Sequence, residues 1–108
     1  MTNGDVIMQG KTAIVTGSTS GIGLGIATAL AESGVNIVLN GFGDRDEISR
    51  TTDRLREAHH VGVLYCRADI ADPSEIADMI DRTRAEFGGT DILVNNAGIQ
   101  HVAPIEEF

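Results

Sequence analysis

Apolar residues along this chain follow two alternating patterns, short continuous runs and longer stretches with a helical period. The continuous runs, rich in Val, Ile and Leu, cover 11–16, 35–40, 61–66 and 91–95. Runs of this length are typical of strands that are buried on both faces of a parallel sheet. Helices are predicted where apolar residues recur three and four positions apart, at 24–31, 48–58 and 76–87.

Start signals precede the second and third of these helices. Asp44 is followed three residues later by Glu47, and Asp72 by Glu75, which is the spacing of a capping box. Pro73 adds a residue that is favoured at the first helical position. The inward faces are predicted to carry Ile48, Leu55 and Ala58 in the second helix, and Ile76, Met79, Ile80, Thr83 and Phe87 in the third.

Four strands that alternate with three helices through short turns indicate right-handed crossovers and a parallel sheet. The predicted fold is a Rossmann-type doubly wound α/β sheet. Residues 1–108 are expected to be the amino-terminal portion of one such domain, ending in the first turn of a further helix at 104–108. Doubly wound sheets bind ligands at the carboxyl ends of their strands, so the segments of interest are 17–23, 41–44, 68–72 and 95–101.

The segment after the first strand reads GSTSGIG at 17–23 and leads into the first helical pattern. A strand, a glycine-rich turn and a helix start predict an anion site, because the first N–H groups of a helix lack partners and carry the positive end of its dipole. Gly17 permits a tight turn, Gly21 removes a Cβ that would hold a diphosphate away, and Gly23 lets the helix approach the strand. The alternative is a glycine turn that serves packing alone.

The composition of the chain excludes several classes of binding partner. The chain has 108 residues, a formal net charge of −8 and singly spread basic residues, which argues against nucleic acid and anionic membranes. Cys66 is the single cysteine, so no disulfide can form within the chain and a reducing compartment is expected. Residues 1–10 lack the basic residue of a signal peptide, and no run approaches the roughly 20 apolar residues of a membrane span. A cytoplasmic protein is expected.

Two segments resemble motifs of the short-chain dehydrogenase/reductase family. Thr16–Gly23 is similar to the family's cofactor motif, and Asn95–Gly98 is similar to the motif after its fourth strand. This ordered pair extends the resemblance over essentially the whole chain, which would correspond to the amino-terminal part of the family's domain. With Asn40–Asp44 and Ile99–His101, these segments resemble the D-3-hydroxybutyrate dehydrogenase branch. Sugar dehydrogenases and 3-oxoacyl reductases of the same family are the alternatives.

The resemblance implies contacts to the diphosphate and the adenine of NAD. The diphosphate would be bound by Gly17, Thr19, Ile22 and Gly23, next to the space that Gly21 leaves. After the third strand, Asp69 would accept a hydrogen bond from the adenine amino group, and Ile70 would lie along the ring. The alternative for Asp69 is a carboxylate that only caps its own turn.

The resemblance also implies which residues would contact the nicotinamide half of NAD and the substrate. Asn96, Ala97 and Gly98 would line the nicotinamide ribose, or the asparagines would staple the turn between strands. Gln100 would donate its amide hydrogens to the carboxylate of a small hydroxy acid or keto acid substrate, with a surface glutamine of no role as the alternative. His101 is expected to be structural.

The end of the second strand bears on the choice between NAD and NADP. Sites that select NAD usually have an acidic residue here, and sites that select NADP have a basic one. The strand ends in Asn40, and no basic residue precedes Arg45. Phe42 can stack under the adenosine, and Asp44 would repel a 2′-phosphate, so NAD is the predicted cofactor.

Catalytic residues are not found in this sequence, and no metal ligands are assigned. The family assists hydride transfer with Tyr-x-x-x-Lys, whereas the single tyrosine here is Tyr65 and the single lysine is Lys11. The resemblance places the catalytic pair beyond Phe108, so the 108-residue chain alone is expected to be inactive. The resemblance implies that the longer protein is an NAD-dependent dehydrogenase of a small secondary alcohol, with 3-hydroxybutyrate as the first candidate. It also implies that the longer protein is a homotetramer. A non-catalytic NAD-binding module is the alternative.

Overall fold

The computed structural model describes residues 8–99, which form a parallel sheet flanked by helices. The strands are β1 (Thr12–Val15), β2 (Asn36–Asn40), β3 (Val63–Cys66) and β4 (Ile92–Val94). The helices are α1 (Gly21–Glu32), α2 (Arg45–His59), α3 (Pro73–Phe87) and a single helical turn, α4 (Asn96–Ile99). Each predicted strand is present and is one or two residues shorter than its apolar run, whereas the sequence pattern does not predict α4.

The strand order is β3-β2-β1-β4, and every neighbouring pair is parallel. In this register Ile14 of β1 is level with Val38 of β2 and Leu93 of β4. The chain runs outward from β1 to β3, and α3 then returns it to the opposite side of β1. This reversal makes the carboxyl ends of β1 and β4 the switch point of a doubly wound sheet. The predicted Rossmann-type fold is confirmed.

Alternate residues of the central strand face two separate cores. Ala13 and Val15 pack in a core shared with α1 and α2. Ile14 faces the other side, where it packs with Met79 of α3 and the buried Cys66. Helices therefore cover both faces of the sheet, and this explains why β1 is buried along its whole length.

Two expectations about helix faces are wrong. Ala58 is exposed on α2, and Thr52 is buried on the inward face of this helix instead. The Thr52 hydroxyl donates a hydrogen bond to Ile48 O at 2.8 Å, within the same helix. Ile80 of α3 is 40% exposed, because the same helix turns Met79 toward the sheet instead.

One of the two predicted capping boxes closes differently. Asp44 Oδ2 accepts a hydrogen bond from Glu47 N at 2.9 Å, as predicted. Asp72 Oδ1 accepts one from Ser74 N at 2.9 Å, whereas Asp72 N donates to Asp69 O at 2.9 Å and not to the carboxylate of Glu75. The Glu75 carboxylate accepts from Asp69 N at 3.0 Å, and this contact ties the start of α3 to the loop after β3.

Three sequence-based expectations lie outside the described residues, namely the roles of Gln100 and His101 and the helix at 104–108. Between Met8 and Ile99, no helix combines the length and the hydropathy needed to cross a bilayer.

Candidate functional site

The turn after β1 depends on three glycines for different reasons. Gly17 and Gly21 both have φ of 60°, a conformation that side chains with a Cβ rarely adopt. A Cβ on Gly21 would meet nothing within 4 Å, so the space in front of it is open. A Cβ on Gly23 would lie 2.1 Å from Gly17 O, so this glycine allows α1 to touch the turn.

The amino terminus of α1 is not capped by a side chain. Ser20 precedes the helix but makes no side-chain capping bond, and the first turn contains no acidic residue. In contrast, α2 and α3 are capped by Asp44 and Asp72 and carry acidic residues in their first turns. The N–H groups at Gly21–Gly23 have no intrahelical partner, and no acidic side chain of the first turn compensates the positive end of the α1 dipole.

Ser18 and Asn40 join the glycine turn to the end of β2. Both are buried, and Ser18 N donates to Asn40 O at 2.7 Å while Asn40 N donates to Ser18 Oγ at 3.0 Å. The Asn40 amide also donates to Cys66 O at 3.1 Å and to Ala68 O at 2.9 Å. Its Oδ1 accepts from Gly17 N at 3.3 Å. The Asn40 side chain thus joins the turn after β1 to the end of β3 and to the loop that follows β3.

The segment after β4 is fixed to the same turn. Asn96 is buried, and its amide donates to Gly17 O at 3.0 Å. Ala97 N donates to the hydroxyl of Thr16 at 3.1 Å. The stapling role of the asparagine is therefore present. Among the described residues, the buried Asn96 Oδ1 accepts no hydrogen bond.

A cavity of about 550 Å³, here called the strand-end cavity, lies between these loops at the carboxyl ends of the strands. Its lining includes six of the residues predicted from the sequence, namely Gly17, Thr19, Phe42, Asp69, Ile70 and Ala97. Of the other predicted residues, Gly21, Ile22 and Gly23 form the adjoining turn of α1, Asn96 is buried against Gly17, and Gly98 lies in α4. Among the described residues, no lysine or arginine lines this cavity.

Asp69 has a local role as well as a place at the cavity. Its Oδ1 accepts a hydrogen bond from Ala71 N at 2.9 Å, so the carboxylate does cap its own turn. The residue is nevertheless exposed and lines the strand-end cavity together with Ile70. The capping bond fixes the carboxylate at the cavity rim, so the two roles are compatible.

A larger cavity of about 860 Å³, here called the edge cavity, runs along β3 between α2 and α3. Four arginines line it, Arg45, Arg56, Arg67 and Arg82. It lies at the side of the sheet and away from the switch point. The strand-end cavity is the better candidate site, because it combines an uncapped helix start with the tips of the strands.

Sequence reasoning missed four side chains that shape the site. Ser18 and Asn40 are the buried polar pair that joins the glycine turn to β2. The position of Asn40 at the end of an apolar run was the only signal for this pair. Tyr65 of β3 and Arg67, which directly follows β3, hold the turn around Phe42 through contacts between neighbouring strand ends. No local pattern encodes such contacts.

Known proteins resemble this chain in sequence and in structure. The profile described as short chain dehydrogenase matches residues 11–108. D-beta-hydroxybutyrate dehydrogenase of Cupriavidus necator is 56% identical over 102 residues, covering 94% of this chain and 39% of that protein. The protein of the same name from Rhizobium meliloti is 58% identical over 98 residues, covering 91% and 38%. L-sorbose reductase from Gluconobacter frateurii, solved with NADPH and L-sorbose, has a TM-score of 0.78 at 39% identity, over 92% of this chain and 40% of that one.

The fold and the strand-end cavity define a Rossmann-type α/β protein with an uncapped helix start at its switch point. The family match specifies this class further: the chain belongs to the short chain dehydrogenase family. It spans about two fifths of the length of the two D-beta-hydroxybutyrate dehydrogenases.

Proposed function

We propose that this chain is the cofactor-binding part of an NAD-dependent oxidoreductase that interconverts a small secondary alcohol and its ketone. The observation that carries the proposal is the uncapped start of α1 beside the strand-end cavity. A diphosphate brings negative charge into a chain whose net charge is already −8. Backbone N–H groups and the α1 dipole offset that charge without any basic side chain.

The residues present fit a dinucleotide. The open space before Gly21 lets a diphosphate approach the backbone, next to Gly17 and Thr19. When bound, NAD supplies the hydride chemistry, and the chain contributes binding and orientation. We assign the adenosine end to Phe42, Asp69 and Ile70, the helix-start contacts to Ile22 and Gly23, and the nicotinamide ribose to Asn96, Ala97 and Gly98.

NAD is proposed rather than NADP because, among the described residues, the strand-end cavity has no basic side chain to receive a 2′-phosphate. The carboxylates at the start of α2 add repulsion, since Asp44, Asp46 and Glu47 all lie within its cap and first turn. The absent carboxylate at the end of β2 has a structural reason, because Asn40 must donate two hydrogen bonds there.

For the substrate we propose 3-hydroxybutyrate, oxidised to acetoacetate. The support is the 56% and 58% identity to D-beta-hydroxybutyrate dehydrogenases, with Gln100 as the proposed carboxylate ligand. A sugar dehydrogenase is the second candidate, favoured by the likeness to L-sorbose reductase. A 3-oxoacyl reductase and a non-catalytic NAD-binding module are the remaining candidates. The longer protein is proposed to be a cytoplasmic homotetramer.

The cofactor proposal is tested by titrating the purified chain with NAD and NADP, together with two glycine variants. Gly21→Ala and Gly88→Ala place a Cβ at positive φ in open space, so both lose about 1 kcal/mol of folding stability. Only Gly21→Ala puts its methyl group where the diphosphate should lie. We expect it to weaken NAD binding by about tenfold or more, and Gly88→Ala to leave it unchanged. Equal affinity in both variants would contradict the proposed site.

The catalytic proposal is tested with a chimera. Residues 1–108 replace the matching part of the Cupriavidus necator relative, which supplies the remainder of the protein. We expect NAD-dependent turnover of 3-hydroxybutyrate by the chimera and none by the chain alone, which holds no Tyr-x-x-x-Lys. Gln100→Ala should raise the KM of the chimera for 3-hydroxybutyrate without affecting its NAD affinity. A folded chimera that binds NAD without turnover would favour the non-catalytic NAD-binding module.

A further inference from the structure

Phe42 is an exposed aromatic ring in a turn that is intrinsically flexible. The ring is 56% exposed and lines the strand-end cavity. Gly41 and Gly43 flank it at φ of 145° and 157°, so the backbone on either side has no Cβ to restrict it. A ring in such a sequence keeps one position only if other residues hold it.

Three contacts hold this turn. Thr19 Oγ1 donates to Phe42 O at 3.1 Å from the glycine turn. The hydroxyl of Tyr65, on β3, donates to Gly41 O. The guanidinium carbon of Arg67 lies 5.0 Å from the centroid of the Phe42 ring, within the range of a cation–π contact. Two of these contacts therefore come from β3 and its carboxyl end.

Tyr65 and Arg67 hold the turn from outside the strand-end cavity. Neither residue lines that cavity, and both line the edge cavity along β3. Phe42 lines the strand-end cavity, and the next residue, Gly43, lines the edge cavity. The Phe42 turn is therefore a thin wall between two open spaces, supported from the edge-cavity side.

We propose that Tyr65 and Arg67 are positioning residues that fix Phe42 as the wall of the adenosine end of the cofactor site. The inference rests on the proposed function, because it takes the strand-end cavity as the site of a dinucleotide. It goes beyond that function by assigning two residues that do not touch the ligand to the affinity for its adenosine half. Burial raises the pKa of Tyr65, which keeps its hydroxyl a donor at neutral pH.

The test uses ligands that report on the two ends of the site separately. AMP probes the adenosine end and nicotinamide mononucleotide the other end, each measured by chemical-shift titration of the chain. Arg67→Ala should weaken AMP and NAD binding by about two- to fivefold, the factor expected from an exposed cation–π contact. Arg67→Lys keeps the charge and should retain most of the affinity. Tyr65→Phe should weaken AMP binding by about two- to tenfold through loss of one hydrogen bond.

Nicotinamide mononucleotide separates positioning from general damage, because its affinity should be the same in all these variants. Unchanged AMP affinity in Arg67→Ala and Tyr65→Phe would overturn the proposal. An equal loss for AMP and nicotinamide mononucleotide would also overturn it, since it would indicate a structural role alone.

A ligand-free measurement distinguishes failure of this inference from failure of the proposed function. Fluorinated phenylalanine reports the environment of Phe42 by ¹⁹F resonance, assigned with a Phe42→Leu variant. Arg67→Ala should move the Phe42 resonance toward the solvent-exposed value. If the chain binds neither NAD nor AMP, the proposed function fails, and an unmoved ¹⁹F resonance would then reject the positioning role as well.

Discussion

Asn40 shows why the residue at the end of β2 is not the carboxylate that an NAD site would suggest. Its side chain is buried, donates to two carbonyl oxygens and accepts from Gly17 N. A carboxylate could keep the accepted bond but could not donate. The need for a donor between β2 and β3 therefore takes precedence over ribose recognition at this position.

Asn40→Asp tests this account. We expect a loss of about 3–5 kcal/mol in the free energy of unfolding at neutral pH, because two buried carbonyls lose their donor and face a negative charge. Burial would raise the folded-state pKa of the new carboxyl, so the loss is full above that pKa and shrinks as the pH falls through it. Urea denaturation at several pH values measures both effects.

Asn36→Asp is the matched control for that substitution. Asn36 Oδ1 accepts from Gly62 N at 2.9 Å, and a carboxylate can accept the same bond. The expected change is below about 1 kcal/mol. Similar losses in the two variants would mean that the donor role of Asn40 is not what matters.

Gly23 provides a second test at the residue scale. In Gly23→Ala the new Cβ would lie 2.1 Å from a backbone oxygen, so α1 must move away, at a cost of about 3 kcal/mol or more. Gly25 is in the same helix, and a Cβ there would meet nothing within 4 Å. Gly25→Ala should stabilise the chain by about 0.5–1 kcal/mol through helix propensity. Urea midpoints that fall equally, or not at all, would refute the packing role of Gly23.

The backbone roles of Gly17 and Gly23 could be predicted from sequence because they follow from geometry within one strand–turn–helix unit. Gly17 has the positive φ that a tight turn at this place requires, and a Cβ on Gly23 would collide with Gly17 O. The supports from Tyr65 and Arg67 could not be predicted, since they join β3 to a turn more than 20 residues earlier. Contacts of that kind depend on strand order, which the local pattern does not contain.

At the scale of elements, the three long helices differ in whether an acidic side chain caps their amino terminus. Asp44 and Asp72 complement the dipoles of α2 and α3, whereas α1 has no such residue. Both α2 and α3 also begin shortly after the carboxyl end of a strand. Among the three long helices of the described residues, α1 is therefore the one whose first N–H groups have no side-chain cap.

Asp72→Ala should lower the urea midpoint of the chain by an amount that depends on pH. Hydrogen bonds from Ser74 lower the pKa of Asp72 below its usual 3.8. A depressed folded-state pKa stabilises the protein above the unfolded value, and this stabilisation disappears as the pH falls through the folded value. The two chains should therefore differ at pH 7 and converge in strong acid. Asp78→Ala, on the same helix, should shift the midpoint less at neutral pH.

The presence of each strand and long helix was easier to predict than the residues that each helix buries. Continuous apolar runs identified all four strands, because a sheet covered on both faces requires them. The rotation of α2 and α3 was predicted less well, since it depends on what each helix meets. Thr52 is buried in place of Ala58, because a threonine can satisfy its hydroxyl within its own helix.

At the scale of the whole molecule, one face of the described sheet keeps an apolar surface. Leu93 of β4 is 66% exposed and Ile80 of α3 is 40% exposed. They line an apolar cavity of about 280 Å³ together with Ile14 and Met79. In the described residues β4 is also an edge strand, with backbone groups available for pairing.

This surface should make the chain associate with itself. Leu93→Glu places a charge on both the apolar surface and the edge, so it should oppose strand pairing and lower the binding of the dye ANS. Sedimentation velocity should show a shift toward monomer. Ala77→Glu adds the same charge at an exposed position of α3 and should leave both signals unchanged. Equal shifts in the two variants would assign the association to net charge, and the exposed face of β4 would then have no special part in it.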